Sequence, residues 1–88
     1  MKKNSRDIDS ELIKKAKQGN HGAFNILTSK YYPRVYASIY SFIKSKEDSE
    51  DLSQQTFIKV WQQLDSFRGD SAFFTWVYRI AINLAKNF

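Results

Sequence analysis

Few residues in this chain can form a turn. The 88 residues include only three glycines and one proline. A chain with so few turn formers has few places to reverse direction, so a few long elements are expected rather than many short strands. Its length suffices for a single domain with a single core. Because apolar residues recur at helical spacing, the sequence predicts an all-α fold, a compact bundle of four to five helices.

The first half of the chain predicts a flexible tail followed by helices. Residues 1–8 are expected to form the tail, and a first helix is expected to be capped by Asp9 or Ser10 and to end at Gly19. A second helix follows, in which Pro33 either kinks one long helix or opens a new one. The apolar positions expected to face the core are Leu12, Ile13, Ala16, Ala23, Phe24, Ile26, Leu27, Val35, Tyr36, Ile39, Tyr40 and Ile43.

The second half predicts two further helices. Ser45, with Asp48 three residues later, is a capping signal for a helix that extends to about Asp65. A short loop leads to the last helix, which is expected to be capped by Asp70 or Ser71. The predicted buried positions are Leu52, Phe57, Val60, Trp61 and Leu64 in the first of these helices, and Phe73, Trp76, Val77, Ile80, Ala81, Leu84 and Ala85 in the second.

Several classes of protein find no support in these residues. Without cysteine, the chain has no disulfides and no thiolate metal sites. The start is basic but lacks the apolar stretch of a signal peptide, and no apolar run is long enough to span a membrane, so a cytoplasmic protein is expected. The one histidine, His21, has no catalytic partners in the sequence. We therefore expect no enzyme, no cofactor and no metal.

The charge of the chain allows a polyanionic partner without locating its site. The net charge is +5 and the pI is about 9.6, as is common for proteins that bind nucleic acid. Ten of the 14 basic residues lie in residues 1–46, whereas six of the nine acidic residues lie in 47–88. The basic excess therefore belongs to the first half of the chain.

One polar stripe lies beside the core positions of the predicted third helix. Asp51, Gln54, Gln55 and Ile58 share one side of this helix at helical spacing, and Gln62 continues the stripe. The pattern favours an ordinary solvated surface, and the alternative is a polar docking face for a partner helix.

A second group combines an aromatic ring, an amide and cations on the outer side of the last helix. Single-stranded nucleic acid is bound by such a mixture, in which rings stack bases, amides read base edges and cations hold phosphates. The preceding loop, 67–71, offers backbone N–H groups and a flexible glycine that could hold an unstacked base. The alternative is that the ring covers the core edge and the arginine pairs with an acid. The outer positions are Thr75, Tyr78, Arg79, Ile82, Asn83 and Lys86.

Three segments together resemble region 2 of the extracytoplasmic-function (ECF) sigma factors, in particular the envelope-stress sigma-E group. The segments are 65–87 (DSFRGDSAFFTWVYRIAINLAKN), 50–61 (EDLSQQTFIKVW) and 19–27 (GNHGAFNIL). Their order and spacing match over residues 9–88, which favours the binding interpretation of both surfaces. The resemblance implies an all-helical domain that binds core RNA polymerase and opens the promoter.

The resemblance also implies which residues bind each partner. The polymerase contact, on a coiled coil of the largest catalytic subunit, would use Asp51, Gln54, Gln55 and Ile58. At position 55 the family usually has an acid, so a charge-assisted contact there becomes neutral. The non-template strand of the minus-ten element, with a base flipped out, would be held by Phe67, Arg68, Gly69, Asp70, Ser71, Tyr78, Arg79 and Asn83, with Lys59 and Lys86 as weaker phosphate contacts.

Family members continue into a second domain, whose helix-turn-helix reads the minus-thirty-five element. That domain is absent from these residues, which fits either a fragment or a naturally short protein. An anti-sigma factor is a further expected partner. The alternative from another class is a helical interaction module, a decoy that occupies polymerase or an anti-sigma factor without opening DNA. Such a decoy would not need Tyr78, Arg79 and Asn83 together.

Overall fold

The computed structural model describes residues 4–88 and confirms the all-α prediction. The described residues form four α-helices and one short 3-10 turn, without a strand. In chain order these are α1 (Ser5–Lys17), α2 (His21–Ile43), α3 (Lys46–Gln63), the 3-10 turn (Leu64–Ser66) and α4 (Phe73–Lys86).

Two of the helix starts differ from the sequence prediction. Helix α1 begins at Ser5, because the Asn4 side chain accepts a hydrogen bond from the Asp7 N–H across 2.9 Å. The predicted cap at Asp9 or Ser10 is therefore wrong, and residues 4–8 are not a tail. The remaining part of the predicted tail, 1–3, lies outside the described residues.

The start of α4 also lacks the predicted cap. Ala72 occupies the N-cap position and no side chain accepts from the first turn, so capping by Asp70 or Ser71 is wrong. The Ser71 hydroxyl instead donates to the Ala72 carbonyl across 3.3 Å. Phe73 is buried, and we attribute the position of this helix start to its packing rather than to a capping side chain.

The other starts agree with local chemistry. The Ser45 hydroxyl accepts from the Asp48 N–H across 3.3 Å, as predicted. Asn20 caps α2 through the Ala23 N–H at 3.0 Å. Helix α2 continues through Pro33 as a single element of 23 residues, which decides between the two alternatives for that proline.

One core joins all four helices. Its α2 contribution is a single line of residues four apart. Ile26 and Tyr40 lie off this line and are 56% and 42% exposed, so the prediction that they are buried is wrong. Phe24, Tyr36 and Trp61 are only partly buried. The buried apolar residues are Ile13, Ala16, Ala23, Leu27, Tyr31, Val35, Ile39, Leu52, Phe57, Val60, Leu64, Phe67, Phe73, Val77, Ala81 and Ala85.

A buried carboxylate ties α1 to α2. Asp9 is only 5% exposed, and it accepts hydrogen bonds from the Lys30 ammonium at 2.9 Å and from the Tyr31 hydroxyl. The hydrogen bond to Asp9 raises the pKa of Lys30. Burial, and then the hydrogen bond to Asp9, raises the pKa of Tyr31.

Within residues 4–88 there is no helix with the length and apolar character needed to cross a membrane.

Candidate functional site

The loop between the 3-10 turn and α4 is anchored at its first residue. The Phe67 side chain is 7% exposed, and its ring lies 5.6 Å from that of Phe73 and 5.1 Å from that of Trp76. The Lys17 ammonium, on α1, donates to the Phe67 carbonyl across 2.6 Å. The next three residues project into solvent from this fixed point. They are Arg68, Gly69 and Asp70.

A polar cleft lies between this loop and α4. Its volume is about 340 Å³. Five of the predicted DNA-binding residues line this cleft: Phe67, Arg68, Asp70 and Ser71 from the loop and Arg79 from α4. The two guanidinium groups can hold phosphates or a base edge, while the Ser71 hydroxyl and the Asp70 carboxylate can accept from base amino groups. The remaining lining residues are Ser66 and Trp76.

The outer side of α4 extends from this cleft. Tyr78 is 40% exposed, and Asn83 is exposed one helical turn beyond Arg79. The aromatic, amide and cationic groups predicted from the sequence therefore do share an accessible face. Lys86, in the last turn, and Lys59, on α3, are exposed but do not line the cleft.

Two loop residues have roles other than those the sequence suggested. The Phe67 ring is committed to the core, so it offers no free face on which a base could stack. Gly69 has a φ of +82°, in the left-handed region that favours glycine, and a side chain there would be strained. Gly69 also faces α1 rather than the cleft at α4, since it lines only the cavities on the α1 side.

Arg34 is a residue near this face that the sequence analysis missed. Its guanidinium, on α2, lies 3.9 Å from the centre of the Phe74 ring. Phe74 in turn contacts the rings of Tyr31 at 5.7 Å and Tyr78 at 6.0 Å. Arg34 of α2 and Tyr78 of α4 thus both contact the Phe74 ring. The sequence carried no signal for this arrangement, because helical spacing does not show which residues of different helices meet.

The predicted docking residues of α3 all lie on its exposed surface. Ile58 is 57% exposed among polar neighbours. The Gln55 amide donates to the Asp51 carboxylate across 3.0 Å. An acid at position 55 would instead place a second negative charge beside Asp51. The glutamine thus holds the Asp51 carboxylate in place.

Two of these α3 residues, Gln54 and Ile58, line an apolar groove between α2 and α3. The groove has a volume of about 390 Å³. The Trp61 ring lies 4.7 Å from His21 and 4.9 Å from Phe24. The sequence predicted Phe24 and Trp61 to be core residues, but both are partly exposed and line this groove. The lining residues are His21, Phe24, Asn25, Thr28, Tyr32, Gln54, Phe57, Ile58 and Trp61.

No metal site competes with these surfaces in the part of the chain described. Over residues 4–88, His, Cys, Asp and Glu side chains nowhere form a group of three or more that could hold a metal ion.

The comparison with protein families gives a direct assignment: the model of Sigma-70 region 2 matches residues 27–88. The chain belongs to the sigma-70 region 2 family.

Relatives of known name agree with this assignment. The chain is 45% identical to the ECF RNA polymerase sigma-E factor of Escherichia coli (strain K12) over 80 residues, which are 91% of this chain and 41% of the relative. It is 41% identical to the RNA polymerase sigma-H factor of Pseudomonas aeruginosa over 83 residues, 94% of this chain and 43% of the relative. The chain thus spans less than half the length of these relatives.

Two solved structures share the fold. One is an engineered region 2 of sigma-E in complex with GTAAAA, with 39% identity and a TM-score of 0.83 over 90% of this chain and 82% of that chain. The other is CnrH in complex with the cytosolic domain of CnrY, with 32% identity and a TM-score of 0.86 over 93% of this chain and 53% of that chain. The chain is therefore a region 2 domain of a sigma factor of the ECF type.

Proposed function

We propose that this domain binds core RNA polymerase and opens the promoter by capturing the single-stranded non-template strand of the minus-ten element. The observation that carries the proposal is the polar cleft between loop 67–71 and α4, which collects Arg68, Asp70, Ser71 and Arg79. A relative with the same fold was solved in complex with GTAAAA, which supports DNA as the ligand of this face.

The proposed division of roles follows the chemistry of each group. The cleft holds an unstacked base, whose edge meets the Ser71 hydroxyl and the Asp70 carboxylate. Arg68 and Arg79 hold the adjoining phosphates. Tyr78 provides a stacking surface and Asn83 reads a neighbouring base edge. Phe67 acts indirectly, because its buried ring fixes the point from which the loop projects.

The polymerase surface is proposed to be the exposed face of α3 together with the adjoining α2–α3 groove. Asp51, Gln54 and Gln55 form its polar part, and Ile58 adds an exposed apolar side chain. The groove lined by Phe24 and Trp61 gives an apolar floor, and an exposed apolar groove with a polar rim suits a helical partner. In this proposal the coiled coil of the largest polymerase subunit packs along α3.

An anti-sigma factor is the other proposed protein partner. CnrH, which shares the fold, was solved with the cytosolic domain of another protein. A decoy that binds proteins without opening DNA is the alternative function. The exposed group of Tyr78, Arg79 and Asn83 beside the cleft favours the DNA function, because protein docking on α3 does not require it.

The test is binding of labelled DNA followed by fluorescence anisotropy. The domain should bind single-stranded DNA that contains GTAAAA more tightly than the same sequence as a duplex. Duplex binding requires unpairing and unstacking of the flipped base, which costs a few kcal/mol. A scrambled single strand of equal length controls for general attraction to phosphates. Equal affinity for single strand and duplex, or no binding to either, contradicts the proposal and favours the decoy.

A further inference from the structure

Helix α1 approaches loop 67–71, which we call the recognition loop, from the side opposite the α4 cleft. A second cleft of about 260 Å³ lies there, between α1 and the loop. It shares Phe67 and Arg68 with the cleft at α4, so the two clefts meet at Arg68. The lining residues of the second cleft are Ser10, Ile13, Lys14, Lys17, Phe67, Arg68 and Gly69.

The charged groups of this second cleft are all cations. Lys14, Lys17 and Arg68 are exposed. Among residues 4–88, the structure shows an ion pair between Lys30 and Asp9 and none that joins Lys14, Lys17 or Arg68 to another of these residues. Lys17 gives one N–H to the Phe67 carbonyl and retains two further donors.

The dipole of α1 gives an ordinary reason for cations at this end of the helix. Lys14, Lys15 and Lys17 all lie in the last turn, where positive charge stabilises a helix. That reason does not explain why two of them line a cleft that continues into the proposed DNA site. Lys15 satisfies the dipole equally well but does not line the cleft, so it separates the two explanations.

We propose that α1 forms a second segment of the single-strand path, in which Lys14, Lys17 and Arg68 hold backbone phosphates. The nucleotides concerned are those that adjoin the ones held at the α4 cleft, and the contact is independent of their bases. The inference rests on the proposed DNA function and extends it to the basic first half of the chain. Arg68 is the junction at which the strand passes from one cleft to the other.

The experiment compares the Lys14→Gln and Lys15→Gln variants of the same chain. Each removes one positive charge from the last turn of α1. The probes are labelled single strands that carry GTAAAA alone or with a short run of thymidines added at the 5′ end or at the 3′ end. Lys14 is preferred over Lys17 as the test position because Lys17 also fixes the loop.

One of the two extensions should tighten binding by the parent chain and by Lys15→Gln, and Lys14→Gln should lose that gain. With the extended probe, the salt dependence of log affinity should become shallower by about 0.7 in Lys14→Gln alone, which is the loss of one single-strand phosphate contact. If neither extension tightens binding, or both variants respond alike, the α1 path is wrong. In either case the parent still discriminates GTAAAA from a scrambled strand. Loss of that discrimination in the parent would instead refute the DNA function itself.

Discussion

The Lys17 ammonium donates to the Phe67 backbone carbonyl across 2.6 Å, although the two residues are 50 positions apart in the chain. Through this bond, α1 holds the first residue of the recognition loop, while Phe73 and Trp76 hold the Phe67 ring from the α4 side. The loop is thus fixed at its base between two helices without any bound ligand. Such preorganisation reduces the entropy lost when a ligand orders a loop.

Replacing Lys17 with methionine should release this anchor. The substitution keeps an unbranched side chain of similar length but removes the ammonium donor. We expect a loss of about 1 kcal/mol in the free energy of unfolding, faster hydrogen exchange at loop amides 68–71, and weaker binding of single-stranded DNA. Urea denaturation and exchange measured by NMR check these outcomes. Lys15→Met is the matched control, and equal behaviour of the two variants contradicts an anchoring role.

The free energy of unfolding should fall at alkaline pH because of the Asp9 cluster, which consists of Asp9, Lys30 and Tyr31. The folded state raises the pKa of Lys30 above its ordinary 10.5, so the stabilisation from its charged form is complete below that pH and is lost above it. The folded state also raises the pKa of Tyr31 above 10.0, so stability is lost as unfolded tyrosine ionises. Both effects have the same sign, and unfolding should become easier above about pH 10.

Asp9→Asn tests this interpretation. The variant removes the main cause of the Lys30 shift but leaves the burial of Tyr31 unchanged. It should be less stable than the parent at neutral pH, by about 1–3 kcal/mol, and should lose less stability on going to alkaline pH. Urea denaturation at constant ionic strength across this range provides the measurement. Parallel pH curves for parent and variant contradict a contribution from the carboxylate.

Local patterns predicted the helices well because their causes are local. The spacing of apolar residues and the Ser45 cap identify α3 from neighbouring residues alone. The Asp9 cluster and the contact between Lys17 and Phe67 join different elements, and helical spacing does not specify such pairs. Phe67 illustrates the same limit in the site: the sequence placed it in the loop but did not show that the rings of Phe73 and Trp76 bury it.

Adjacent residues of α2 give a sharp test of the core. Leu27 has 0% exposure and Ile26 has 56%, although the sequence predicted both to be buried. Leu27→Ala should lower the free energy of unfolding by about 2–5 kcal/mol, since it leaves a cavity. Ile26→Ala should change it by no more than about 0.5 kcal/mol. Thermal and urea unfolding of the two variants decide the point. Similar losses of unfolding free energy in both variants would mean that the α2 residues facing the core are assigned incorrectly.

The polymerase surface should depend on side chains that contribute little to folding. Asp51→Ala combined with Gln54→Ala should weaken binding to core polymerase at least about tenfold, because buried partner groups lose their hydrogen bonds. Circular dichroism should remain helical, since both residues are exposed. Lys59→Ala, on the same helix but outside this face, is the control. Unchanged affinity of the double variant would place the polymerase contact elsewhere.

Trp61 requires a different expectation from that of a fully buried residue. It is partly exposed and lines the α2–α3 groove beside His21 and Phe24. Trp61→Ala should therefore leave a folded chain, with a loss smaller than the roughly 3–5 kcal/mol typical of a buried tryptophan, and with weaker polymerase binding. A melt combined with a polymerase titration separates the two effects. An unfolded variant would mean that Trp61 acts mainly in the core.

Asn83 and Lys86 should affect DNA binding in different ways, although they lie three residues apart on the exposed side of α4. An amide that reads a base edge contributes about 1–3 kcal/mol of discrimination, so Asn83→Ala should relax the preference at one base while general affinity persists. A lysine that contacts phosphate carries no sequence information, so Lys86→Ala should weaken all strands about equally and reduce the salt dependence. Anisotropy titrations with GTAAAA and its single-base variants, at two salt concentrations, measure both quantities. If Asn83→Ala retains the base preference of the parent, the outer face of α4 does not read the base, and recognition must depend on the loop cleft around Arg68 and Ser71.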